Sequence, residues 1–230
     1  MRPRGLVIAI DGPSGAGKST AGRALAERLG YTFIDTGAMY RALALKAARS
    51  GTDPDDPAGL ASLLHDARIE LRDGGRRVLL DGEDVTESIR SRETSALASR
   101  VSVHPAVRRE MVTRQRALGE GGGVVLDGRD IGTAVFPDAD LKFYVDAEPR
   151  RRAERRRAEL AAGGSKADLD AIELEIRERD RADMTRADSP LVRAAGAVVV
   201  DTTSLDPEQV LERMLAAVRA TWPEGSPGRR

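Results

Sequence analysis

The sequence predicts an α/β protein: a doubly wound parallel sheet built around a phosphate-binding loop (P-loop), with an inserted antiparallel subdomain and a helical lid. Three observations lead there. An apolar run, Leu6–Ile10, leads into Gly12-Pro13-Ser14-Gly15-Ala16-Gly17-Lys18-Ser19-Thr20, the pattern G-x-x-x-x-G-K-S/T leaving a strand and opening a helix. Short apolar runs then alternate with helical stretches along most of the chain, as in a parallel sheet buried on both faces. Between Thr52 and Val101 that alternation stops, and short strands joined by tight turns replace it.

In order, a strand Leu6–Asp11 leads to a helix Lys18–Leu29, and a short strand Thr32–Asp35 to a helix Gly37–Arg49 that Thr36 can cap. Thr52–Pro57 reads as a Pro/Asp-rich linker. Ala67–Leu71, Arg76–Leu80 and Glu83–Val85 read as antiparallel strands around turns at Asp73-Gly74-Gly75 and Asp81-Gly82. Helices near Glu87–Val101 and Pro105–Ala117 return the chain to the main sheet, where Val124–Leu126 and Leu141–Val145 are strands. Helix Glu148–Ala162, a Gly163-Gly164 break and a helix from Leu169 to about Ala182 form a lid at about 148–187. Strand Val198–Val200 and helix Pro207–Ala220 follow, and a Pro/Gly-rich tail, 222–230, is expected to be disordered. The expected division is a core of 1–59 and 103–230, with 60–102 as the insert.

The loop's chemistry follows from its residue types. Glycines let the backbone wrap a polyphosphate with its N–H groups inward, and the helix dipole adds to them. Lys18 can place a charge on the β- and γ-phosphates, and the Ser19 hydroxyl can ligate Mg²⁺. Val124–Leu126 ends in Asp127-Gly128-Arg129-Asp130, a dense polar cluster at a strand's carboxyl edge. Asp127 is placed to help hold Mg²⁺ through water, Arg129 to neutralise phosphate, and Asp130 to accept hydrogen bonds. Arg41, one turn into its helix, either reaches an anionic substrate or sits on the surface. The runs at 150–157 and 177–186 are Arg-rich. Most of these arginines should lie on solvated faces laced with i, i+4 pairs, and a minority should touch ligand.

Composition narrows the classes. The 37 basic and 37 acidic residues balance, and only 3% of residues are aromatic, which argues against a non-specific nucleic-acid binder. There is no Cys, so disulfides and thiolate metal sites are excluded. No apolar run reaches membrane-spanning length and the N-terminus lacks a signal core, so a cytoplasmic protein is expected. There is no Asn, which rules out a guanine-reading N-K-x-D, and only four Lys. That bias fits either heat tolerance or a GC-rich coding sequence.

Taken together, IAIDGPSGAGKST, DTGAMYRALAL, DGEDVTESIR, DGRDIGTAVFPDA and ERDRADMTRADSPL, spread from residue 8 to 191, resemble the bacterial cytidylate kinases of the nucleoside monophosphate kinase group. The resemblance implies an enzyme that moves the γ-phosphoryl group of ATP to CMP or dCMP with Mg²⁺, and it makes the insert a CMP-binding subdomain. It implies that residues 12–20 hold ATP, with lid arginines Arg155 and Arg156. Ser99, Arg108 and Asp130 would hold cytosine, and Arg41, Arg129 and Arg186 the CMP phosphate. Asp183 would contact the sugar with Arg179 nearby, and Thr36 stands where many members carry Ser. Lys18, Arg129 and Arg186 would be the catalytic charges, and Ser19 and Asp127 the metal site. Free nucleotides would be the partners, with no nucleic acid or membrane, and the protein would be a monomer. Other small-molecule P-loop kinases, for uridylate, shikimate or dephospho-coenzyme A, fit the loop but not DGRDIGT or the long insert. His65 and His104 are expected to be structural or surface residues.

Overall fold

Both faces of the main sheet are covered, which is why its strands read as unbroken apolar runs. The computed structural model describes residues 2–162, 164 and 166–222. In chain order the elements are β1 (Val7–Asp11), α1 (Lys18–Leu29), β2 (Thr32–Asp35), α2 (Thr36–Ser50), α3 (Pro57–His65), β3 (Ile69–Arg72), β4 (Arg77–Leu80) and β5 (Glu83–Asp84). There follow α4 (Arg92–Val101), α5 (Pro105–Gly119), β6 (Val124–Gly128), β7 (Leu141–Asp146), α6 (Pro149–Ala162), α7 (Leu169–Thr185), β8 (Val198–Asp201) and α8 (Pro207–Thr221).

The parallel sheet has the order β2-β6-β1-β7-β8, with β1 at its centre. Alternate residues of β1 feed opposite layers. Ile8 and Ile10 pack with Leu25 of α1 and Met214 and Val218 of α8. Val7 and Ala9 pack with Ile34, Leu126 and Phe136. A further cluster joins Met39 and Leu43 of α2 to Leu60, Val101 and Met111 of α3, α4 and α5. The antiparallel β3-β4-β5 sheet packs Val78 and Leu80 onto Ala38 and Ala42 of α2.

The loop after β1 runs tight against β7. Gly12 has φ +147°, and a Cβ there would lie 1.9 Å from Val145 O, so the first glycine is demanded by a backbone crossing as well as by the ligand. Gly17, at φ +89°, turns the chain into α1.

Several expectations change. Asp35, not Thr36, caps α2: its carboxylate accepts from Ala38 N at 2.8 Å, while the Thr36 hydroxyl donates to Asp127 O at 2.7 Å and ties α2 to β6. Either residue can cap by type, and packing against β6 decides. Asp35→Ala should therefore lower stability by about 1 kcal/mol, read as a shift of the urea midpoint, and an unchanged midpoint would contradict this assignment. The linker ends in a helix, α3, capped by Asp56 with Pro57 in its first turn. The helix expected over Glu87–Val101 is a single 3₁₀ turn, Ser88–Arg90, and then α4, capped by Ser91. Trp222, expected in a disordered tail, is 3% exposed in the core beside Val218; 223–230 and Gly163 of the expected hinge lie outside the described residues.

Candidate phosphoryl-transfer site

The carboxyl ends of β1, β2 and β6 bring the candidate residues together because the three strands run parallel and in register. Asp11 pairs with Gly128 in the ladder and Asp35 with Asp127, so three acidic strand ends share one edge. The Lys18 ammonium is buried and donates to Pro13 O at 2.6 Å. Burial, then the Arg129 charge, pulls Lys18 down to about 7. Ser19 Oγ donates to Asp127 Oδ2 at 2.5 Å. Burial, then the Asp35 charge, pushes Asp127 up to about 6, and its Oδ1 is buried without a partner among the described residues. Thr20 is exposed at the start of α1.

Beside the loop lies a set of guanidinium groups held by the protein's own carboxylates. Arg129 Nε donates to Asp183 Oδ2 at 2.9 Å, and Arg41 to Asp35 Oδ2 at 2.9 Å. Arg186 lies 3.6 Å from Asp183 and 3.8 Å from Asp130. Arg108 donates to Asp130 Oδ2 at 2.5 Å and to Ser102 O at 3.1 Å. As with Arg41 and Arg108 at Nε and Arg186 at Nη2, Arg179 has its Nε buried with no hydrogen-bond partner among the described residues. Burial, then the Arg129 charge, lowers it to about 10, and Arg41 adds to the repulsion. Burial, then the Arg108 charge, likewise lowers Arg186. Cations crowded in this way are stabilised by an incoming anion.

Not every expected residue joins the cluster. Ser99 Oγ turns back along α4 to Ser95 O at 3.4 Å. Arg155 donates to Thr202 Oγ1 at 3.0 Å, and Thr202 Oγ1 donates to Ala16 O at 2.9 Å, so Arg155 reaches the back of the loop through Thr202. Arg156 pairs with Glu159 at 3.1 Å on the surface of α6. His65 is exposed, and His104 Nε2 lies 2.8 Å from Pro54 O.

Three buried polar residues were missed. Asp11 accepts from Ile131 N and Gly132 N, each at 2.7 Å, and holds the π-helical turn after Asp130; burial pushes its carboxyl up to about 6. An acid ending the strand before the loop was the signal for it. Arg152 and Asp180 form a buried pair at 2.7 Å. Nothing in the Arg-rich letters sets Arg152 apart.

The cytidylate kinase family model matches residues 8–220. The cytidylate kinase of Symbiobacterium thermophilum is 52% identical over 95% of this chain and 98% of its own length. That of Syntrophotalea carbinolica is 54% identical over 94% and 92%, and that of Geobacillus kaustophilus 51% over 94% and 97%. Among solved structures, a shikimate kinase from Acinetobacter baumannii in complex with shikimate superposes with a TM-score of 0.51 at 16% identity, over 96% of this chain and 97% of that one. At that identity the likeness shows the fold alone.

Proposed function

Because the chain belongs to the cytidylate kinase family, we propose that it transfers the γ-phosphoryl group of ATP to CMP or dCMP, giving ADP and CDP or dCDP. The observation that carries the reading is the crowd of arginines, Arg41, Arg129, Arg179 and Arg186, beside the loop that presents Lys18. In this reading the phosphate-binding loop, Gly12 to Thr20, takes the ATP phosphates, and Arg155 and Arg156 face the donor side. The CMP phosphate takes the place of Asp183 on Arg129 and Arg186 and satisfies Arg179, and Arg41 turns to it from Asp35. Asp183, once released, is free to meet the sugar. Asp130 accepts from cytosine N4, while Arg108 and Ser99 donate to N3 or O2; Thr36 holds β6 and α2 in register beside them.

An oxygen of the CMP phosphate attacks the γ-phosphorus. The bond from that phosphorus to the β–γ bridging oxygen breaks, and its electrons leave with ADP. A phosphomonoester has its second pKa near about 6, so the nucleophile is already dianionic and no general base is needed. The protein supplies position and positive charge through Lys18, Arg129 and Arg186.

Magnesium fits the residues present. Ser19 Oγ and Asp127, with its unpartnered Oδ1, form an oxygen set beside the loop. Among the described residues no cluster of three or more acidic or histidine side chains could hold a metal unaided, which suits a cation that keeps its waters and takes ligands from a nucleotide. When bound, it neutralises charge on the transferred group.

The reading also takes 60–102 as the CMP-side unit, 1–59 and 103–230 as the core, and the protein as a cytoplasmic monomer acting on free nucleotides. Among the described residues no helix is long and apolar enough to cross a membrane.

One pH effect follows from Lys18, held near about 7 in the free protein. Burial and the Arg129 charge disfavour the ammonium in the free protein, and a polyphosphate laid against it favours that form. Binding of an ATP analogue should therefore take up more protons at pH 8 than at pH 6. Calorimetry in buffers of different ionisation enthalpy measures this, and equal uptake at the two pH values would refute it. The function itself is tested by ATP turnover with CMP, dCMP, UMP, AMP and GMP side by side. CMP and dCMP should be the acceptors, and a preference for any other would overturn the reading.

A further inference from the structure

The buried pair Arg152–Asp180 does nothing in the transfer derived above, yet it touches the loop that the transfer depends on. Arg152 is 3% exposed, and its three guanidinium nitrogens are all engaged. Nε donates to Ala147 O at 2.8 Å, Nη1 to Ser14 O at 3.1 Å, and Nη2 pairs with Asp180 Oδ2 at 2.7 Å. Gly15 sits on the stem of the same side chain, with room for a Cβ only 3.3 Å from Arg152 Cβ. The outer wall of the phosphate loop thus rests on one buried arginine.

Spacing on α7 explains the other half. Ile172 and Ile176 pack on Ala153 of α6, and Asp180 is the next residue of the same stripe, four positions on. Arg179 and Asp183 occupy the neighbouring stripe, and Asp183 holds Arg129 at 2.9 Å. One turn of α7 therefore grips both sides of the site. Asp180 reaches the donor loop through Arg152, and Asp183 reaches the acceptor-phosphate arginines. Asp180 Oδ1 is buried without a partner among the described residues, so its whole hydrogen-bonding output runs to Arg152.

We infer that Arg152 and Asp180 are a positioning pair that makes the two nucleotide sites sense each other: filling the acceptor site moves α7, and the pair passes that movement to Ser14 and Gly15. The inference rests on the phosphoryl-transfer reading above. It requires a linkage between the sites that disappears when the pair is weakened.

The test uses the full chain and a non-hydrolysable ATP analogue with Mg²⁺, its Kd measured with and without saturating CMP. In the wild type, CMP should change that Kd by about fivefold or more, the low end of usual site–site coupling. Asp180→Asn keeps the size and one acceptor for Arg152 but removes the charge. In this variant the ratio should fall below about twofold, while the Kd without CMP stays within about threefold of wild type. Arg152→Lys, which cannot reach all three acceptors, should likewise bring the ratio below about twofold and serves if the first variant does not fold. A role confined to stability would lower Tm and leave the ratio intact, and that result overturns the inference. So does a wild-type ratio of one, or failure of both variants to fold. A wild type that forms no CDP defeats the functional reading instead, and the two failures are told apart by the turnover assay.

Discussion

Lys18→Ala is expected to lower kcat/KM for phosphoryl transfer by about 10³-fold, close to 4 kcal/mol of transition-state stabilisation, while the folded structure persists. The side chain is buried and its Nζ donates only to Pro13 O among the described residues, so it is held by the loop and does not hold the core together. Its charge is opposed by burial and by Arg129, which means the free protein gains little from carrying it. The cation's value appears only when charge develops between the two nucleotides. Single-turnover CDP formation and a thermal melt, run on the same preparation, separate the two effects. A folded variant with near-normal turnover would remove the phosphate loop from the mechanism.

Asp130→Ala should act twice. It deletes the acceptor proposed for cytosine N4 together with the repulsion of uracil O4, so the CMP:UMP ratio of kcat/KM should narrow by about 1–3 kcal/mol. It also leaves Arg108 buried and stripped of its partner at 2.5 Å, with Arg186 close by, a situation that costs about 3–5 kcal/mol in folded proteins. The melt should therefore drop alongside the change in selectivity. Asp130→Asn keeps a carbonyl for Arg108, should recover part of the stability, and should still narrow the ratio because its amide can donate to uracil O4. Arg108→Ala should weaken CMP more than ATP. An unchanged CMP:UMP ratio in both Asp130 variants would move base reading elsewhere.

How far the letters carry is clear from particular residues. The loop was legible because its motif is local: glycine spacing, Lys18 and Ser19 act within one strand–turn–helix, so nothing distant has to be known. The sheet was legible because burial on both faces writes itself as unbroken apolar runs. Asp127, Arg129 and Asp130 were legible from their place at a strand end. The arginines were not separable, since Arg152 differs from Arg151 and Arg156 only in the direction it faces. It is buried against Ser14, while they pair with Glu154 and Glu159 on the same helix surface. The cap of α2 turned on whether Thr36 or Asp35 was closer to β6, a tertiary matter. Helix α3 was within reach, because Asp56-Pro57 is a helix start and reads as a linker only when the Pro and Asp are counted as turn formers.

The seat of Trp222 has a spectroscopic consequence. It is the one tryptophan of the chain, packed with Val218 beneath α8, and the Tyr31 ring lies 6.4 Å away, centre to centre. Its hydrophobic cluster draws on β1, α1, β7 and α8 and includes no residue of α6 or α7. Indole emission is therefore expected to report cooperative melting of the sheet. Fluorescence can follow, without an added dye, whether a variant is folded.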